Sequence, residues 1–288
     1  NIFLGQNRAY FEEGEVKGEM VNKNGEDFYK ISNVDCMRPF FMSLVSDSNH
    51  WMFISSNGGL TAGRKDADRA LFPYYTDDKI TESAGITGSK TILQVHRGKD
   101  IVIWEPFSGD YKGLYQLSRN LYKNSFGNKI IFEEINHDLE LTFTYEWNSS
   151  DTYGFVKKTA LINNAEVSVK AGVLDGIQNI LPYGLSTDLQ NLRSNLADAY
   201  KKSELEEEVG IGIYALSSII VDKAEPSEAL KATLAWSLGF ESQHYLLSSL
   251  QLQAFRKGEP LQTEIDVKAE KGAYFIQADI DLGPGANK

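Results

Sequence analysis

The chain has 288 residues, 42% of them hydrophobic and 24% charged, with a formal net charge of −11. That is enough chain to bury a core without disulfide staples, and Cys36 stands alone, so no internal disulfide can form. The acidic balance argues against a nucleic-acid partner, because phosphate binding needs a Lys/Arg surface, and no apolar run approaches the ~20 residues of a membrane-spanning helix. A lone cysteine fits a reducing compartment and slightly favours the cytoplasm, but export of a disulfide-free protein fits as well, so the compartment stays open.

In chain order, "EMVNKNGEDFYKI" sets Asn24-Gly25 between two extended runs, the strongest short hairpin signal. Asp47-Ser48-Asn49 turns the chain between "FFMSLV" and "WMFIS". The stretch from Ser55 to Lys79, "SSNGGLTAGRKDADRALFPYYTDDK", reads as a loop rich in rings and charges. Further turns are expected at Arg97-Gly98-Lys99-Asp100 and at Ser125-Phe126-Gly127-Asn128. In "DLELTFTYEW", Leu139, Leu141, Phe143, Tyr145 and Trp147 share one face, as a half-buried antiparallel strand requires.

From Thr187 to about Glu208, Leu189, Leu192, Leu196 and Ala199 fall at helical spacing, with Thr187 and Gln190 as a capping box and Gly210 as the stop. "EALKATLAWSLGF" alternates cleanly and reads as a strand. A shorter helix is expected over about Gln243 to Phe255. "AYFIQADIDL" alternates again through Tyr274, Ile276, Ala278, Ile280 and Leu282. The closing Gly283 to Lys288 reads as a turn leading onward, so a longer natural chain is expected. Dense turn signals among alternating strands imply one mainly β domain over residues 1–288. The expected form is a large antiparallel two-layer sandwich with a helical insertion near residues 187–208.

His50, His96, His137 and His244 are scattered, no pair has the i, i+4 spacing of a helical metal site, and no cysteine cluster supports one. No metal and no cofactor is expected. Neither Gly-x-Ser-x-Gly nor a phosphate loop is present. Asp77-Asp78, Glu105, Glu133-Glu134, Asp151 and Asp175 are available carboxylates. Adjacent residues on a strand face opposite ways, however, so neither adjacent pair is a ready acid/base couple.

Rings beside planar polar groups are a different signal. A sugar presents a C–H face to an aromatic ring and hydroxyls to charged and amide groups, a case of few polar groups in an apolar site. The candidate substrate-binding residues are Arg64, Tyr74, Tyr75, Asp77 and Asp78, with Trp104 and Glu105 from "VIWEPFSGDY". The competing structural reading has Phe72-Pro73-Tyr74 plugging the end of the sandwich while Asp77 or Asp78 pairs with Arg64 or Arg69.

"WMFISSNGGLTAGRKDADRALFPYYTDDKI", "YQLSRNLYKNSFGNKIIFEEINHDLELTFTY" and "VLDGIQNILPYGLSTDLQNLRSNLADAY" resemble the amino-terminal domain of the cellobiose phosphorylase-like glycoside phosphorylases and hydrolases. The resemblance runs from about Pro39 to Ala199. It implies a galactose-mutarotase-like supersandwich, followed in that family by helical linkers and an (α/α)6 barrel that supplies the general acid. The barrel's catalytic aspartate has no matching position here, so no catalytic residue is carried over.

The resemblance further implies a carbohydrate-binding and scaffolding role beside a catalytic barrel, with oligosaccharide as ligand and a homodimer as a possible assembly. Two alternatives stand beside it. One is a stand-alone aldose 1-epimerase-like enzyme, whose relatives use a histidine pair and a glutamate base. The other is a structural dimerisation module.

Overall fold

Alternation along the chain becomes antiparallel pairing: every strand pair among the described residues runs antiparallel. The computed structural model describes residues 2–11, 14–75, 77–221 and 228–288, with the side chains of Asp77 and Asp78 outside that set. Among the described residues no helix is long and apolar enough to cross a membrane.

The largest sheet has six strands, in the order Gly154–Asn163, Leu141–Ser150, Ile130–Asn136, Leu117–Asn124, Glu26–Ser32 and Lys17–Lys23. A five-stranded sheet follows the order Asp100–Trp104, Gly88–Arg97, Val169–Ile180, Gly272–Leu282 and His244–Leu246. Two four-stranded sheets complete the body. The first holds Phe41–Leu44, His50–Ser55, Leu60–Arg64 and Ala70–Phe72, and the second Thr233–Ala235, Ile211–Leu216, Lys201–Glu206 and Asp266–Lys268. A two-stranded ribbon, Phe3–Leu4 with Asn7–Arg8, stands apart.

One core joins the four larger sheets. Phe132, Leu141, Phe143, Tyr145 and Trp147 from the six-stranded sheet meet Leu93, Val95, Val173 and Ile280 from the five-stranded one. Met52, Ile54 and Phe72 extend the core into the first four-stranded sheet, and Leu205 and Tyr214 extend it into the second. The Phe72 ring packs edge-on against Trp147 with centroids 6.0 Å apart. Several antiparallel sheets contribute to one core, in a propeller-like set.

Gly272–Leu282 is buried on both faces over much of its length. Tyr274 and Ile276 point into the main core, while Ala273 and Phe275 join Ile92, Leu174 and Leu246 under the short helix Leu252–Arg256.

Several turns form as expected. Lys23 pairs with Glu26, so Asn24 and Gly25 alone make the hairpin turn, both at positive φ (53° and 84°), as a type I′ turn demands. Arg97 pairs with Asp100 across Gly98-Lys99.

Other expectations are corrected. The stretch from Ser55 to Lys79 is not a loop throughout, because Leu60–Arg64 and Ala70–Phe72 are strands of the first four-stranded sheet. The helical run over 187–208 is two short helices, Thr187–Leu192 and Ser194–Ala199, and Lys201–Glu206 is a strand. Ser186, not Thr187, caps the first helix by accepting from the Leu189 amide, since the Thr187 hydroxyl donates to Asp68. Over 243–255 the chain forms the strand His244–Leu246 and a helix only at Leu252–Arg256. The strand reading of "EALKATLAWSLGF" holds for Thr233–Ala235.

Backbone proximity explains the glycine pair of the turn after Ser55. A Cβ on Gly59 would lie 1.9 Å from the Ile80 carbonyl oxygen, so the helix Asp77–Glu82 can sit on this turn only if residue 59 has no side chain. Gly59→Ala is expected to destabilise the fold by about 1–3 kcal/mol through overpacking. Chemical denaturation of the variant against the parent measures this, and equal midpoints would contradict the close approach.

Candidate functional site

His50–Ser55 alternates His50, Met52 and Ile54 inward with Trp51 and Phe53 outward, the period-2 geometry of a strand over a core. Neighbouring elements add rings to that outer face. Phe41 stacks on Phe53 with centroids 5.3 Å apart and planes 21° apart. Trp51 lies 6.0 Å from Phe53, and Tyr74 meets Trp51 edge-on at 5.9 Å. The result is a continuous row, Phe41–Phe53–Trp51–Tyr74, whose two ends are exposed and whose middle rings are half-buried. Trp51 is held from beneath by a small apolar cluster containing Leu181, Leu185 and Ala197, with Leu189 packed against it.

Tyr74, expected from sequence, is the terminal ring of this row. Its amide donates to Gln190 Oε1 at 3.2 Å, and the Gln190 amide group donates to the Leu185 carbonyl at 2.8 Å. The Thr187 amide and hydroxyl both donate to Asp68 Oδ1 at 2.8 Å, so the pair of short helices is pinned beside the row.

Arg64 pairs with His50 across the sheet, one position from Trp51, and its Nε donates to Asn49 Oδ1 at 3.3 Å. Tyr75 is half-buried; burial pushes its phenol pKa up, opposed by a hydrogen bond with Asn179. Asp77 and Asp78 open the helix Asp77–Glu82, and their side chains lie outside the described residues. Arg69 pairs with Asp66.

Trp104 and Glu105 belong elsewhere, and this corrects their place in the expected set. The Trp104 ring is 1% exposed and offers no face to a ligand, and its Nε1–H donates to Glu134 Oε1 at 2.7 Å. The Glu105 carboxylate is enclosed by Arg256, whose Nη2 donates at 2.9 Å, and by Lys90 at 2.7 Å. Glu134 accepts two further bonds, from the Phe107 amide at 2.7 Å and from Arg119 Nε at 2.6 Å. Glu133, on the opposite side of its strand, accepts from Asn120 and Tyr122. Glu105 and Glu134 are each held in place by several charged or amide donors, which suits a structural role.

The histidines lie in separate places. His96 is on Gly88–Arg97, His137 faces Ser118 at 2.8 Å, and His244 faces Thr263 at 3.2 Å. His50 is buried beside Phe155, and burial first, then the Arg64 charge, lowers its pKa. No group of three or more His, Cys, Asp or Glu residues among the described residues could hold a metal ion. Buried Lys157 donates to Asp175 Oδ1 at 2.8 Å and to the Gly176 carbonyl at 2.8 Å; burial lowers its pKa against the opposing pull of Asp175.

Sequence reasoning missed Phe41, Trp51 and Phe53. The alternation of "WMFIS" carried the signal for the last two, since both fall on the face opposite Met52 and Ile54. No family model matches the chain, and no curated protein matches it.

The Glu105 cluster has a pH signature. Burial raises the Glu105 pKa, and the donors Arg256 and Lys90 together outweigh it, leaving the folded pKa below the ordinary 4.5. A depressed carboxyl pKa contributes stability that is present above the unfolded value and lost as pH falls through the folded one. The stability gap between the parent and Glu105→Gln is therefore expected to narrow as pH drops below 4.5, read by denaturant titration at stepped pH. Arg256→Ala, which strips one partner from a buried carboxylate, is expected to cost about 3 kcal/mol near neutral pH. A gap independent of pH would overturn the assignment.

Proposed function

We propose that this chain is a carbohydrate-recognition and scaffolding domain, with the row Phe41–Phe53–Trp51–Tyr74 as its sugar-facing platform and Arg64 at its rim. The observation that carries this reading is the row itself, rings in contact along the outer side of one four-stranded sheet with both ends open to solvent. Aromatic faces with a few polar groups beside them suit ligands that are apolar on one side and hydroxylated at the edge.

That residues of the five- and six-stranded sheets share one core supports a supersandwich reading of the fold. In that reading the domain belongs beside a helical catalytic barrel of a glycoside phosphorylase or hydrolase. The pairing of Glu105, Glu134 and Asp175 with several donors each supports a role without catalysis in this chain.

Calorimetric titration with cellotetraose tests the platform. Tyr74→Ala and Phe41→Ala are each expected to weaken binding about tenfold, or about 1.4 kcal/mol, with unchanged thermal melting, and Arg64→Ala to weaken it less. If the parent takes up no oligosaccharide, or if the ring variants bind like the parent, the row is only a surface seam.

A further inference from the structure

His50 opens the strand that carries Trp51 and Phe53, but its own side chain turns inward and is 7% exposed. Its ring meets Phe155 of the Gly154–Asn163 strand edge-on, with centroids 5.0 Å apart. The first four-stranded sheet therefore rests on the outermost strand of the six-stranded one through a titratable group.

Only one nitrogen of that ring is satisfied. Nδ1 lies 2.5 Å from Ser48 Oγ, which in turn lies 2.9 Å from Ser46 Oγ. Nε2 is buried and has no hydrogen-bond partner among the described residues. A neutral imidazole carries one N–H, whereas the protonated ring carries two, both donors. Uptake of a proton in this packing leaves a charged N–H buried without an acceptor, which costs more than an ordinary unmade bond.

The charges around the ring pull in opposite directions. Arg64, its cross-strand neighbour, opposes a second positive charge, and Asp151, in the turn before Gly154–Asn163, favours one. Burial and Arg64 prevail, so the enclosed ring takes a proton less readily than a hydrated one with its ordinary pKa of 6.5. A state in which the ring reaches water binds the proton first, so falling pH draws the chain towards that state. Beside the ring a small cavity, lined by Ser46, Asn148 and Ser149 together with Leu44, Met52 and Phe155, gives water a place to enter. Elsewhere the sheet is held by Met52, Ile54 and Phe72 in the core, with Phe72 against Trp147, so the opening is confined to the end that starts at His50.

We propose that uptake of a proton by His50 parts the first four-stranded sheet from Phe155 and frees the strand end that bears Trp51, so that acid loosens the aromatic row. The release follows from His50 and its surroundings whatever the row binds; only its consequence for a sugar ligand rests on the reading above.

Amide hydrogen exchange from about pH 7.5 to about pH 5, the range over which a histidine titrates, tests this without any ligand, after correction for intrinsic exchange rates. Protection of the Trp51 and Met52 amides is expected to fall about tenfold per pH unit below 6.5, the slope set by one bound proton, while that of Ile130–Asn136 holds. His50→Gln, which cannot take the proton, should abolish the slope. Asp151→Asn, at an exposed position, keeps the test decisive if the glutamine variant does not fold. It removes the charge that favours protonation of the enclosed ring, so it should deepen the loss at the acid end. Protection at Trp51 that is independent of pH, a slope that survives in His50→Gln, an equal loss across Ile130–Asn136, or an Asp151→Asn chain that matches the parent would each overturn the proposal.

Discussion

Glu134 accepts from Trp104 at the end of one sheet, from Arg119 on its neighbouring strand, and from the Phe107 amide in the segment that joins the two sheets. A carboxylate removed from water is costly unless each lone pair finds a donor, so the three elements are held to one relative placement. Glu105, next to Trp104 in sequence, makes the same demand of Lys90 and of Arg256 in the distant helix Leu252–Arg256. The apolar core contributes most of the attraction but is tolerant of sliding. Glu134 and its donors select one placement of the five-stranded sheet against the six-stranded one, and Glu105 with its donors fixes the helix Leu252–Arg256 on the five-stranded sheet.

With that placement set, the remaining polar interior follows. Asp175, on Val169–Ile180, receives Lys157 and Thr159 from the facing Gly154–Asn163 strand. The first four-stranded sheet seats on the same scaffold through Phe72 against Trp147 and His50 against Phe155, at 6.0 and 5.0 Å. Its inward residues are thereby committed, and the alternation of the strand turns Trp51 and Phe53 outward to form the aromatic row. The row is thus a consequence of how the inner face packs.

Legibility from sequence was uneven for physical reasons. Asn24-Gly25 and the alternation of Leu141, Phe143, Tyr145 and Trp147 were readable because φ preferences and side-chain period are local. The segment from Ser55 to Lys79 hid two strands because Leu60–Arg64 is buried on both sides and lacks a polar face to alternate with. The run after Thr187 keeps helical spacing, yet Arg193 leaves helical geometry at φ −137° and the chain enters a sheet at Lys201. Tertiary pairing overrides propensity there.

The chain by itself determined its class, its main turns and the side of each alternating strand on which a residue falls, since these depend on neighbours a few positions away. Which side meets protein and which meets solvent was decided only in three dimensions. Trp104 and Trp51 both stand in alternating, ring-rich stretches, but one is enclosed by Glu134 and the core while the other lies in an open row. That difference comes from partners remote in sequence, and local pattern carries no record of them.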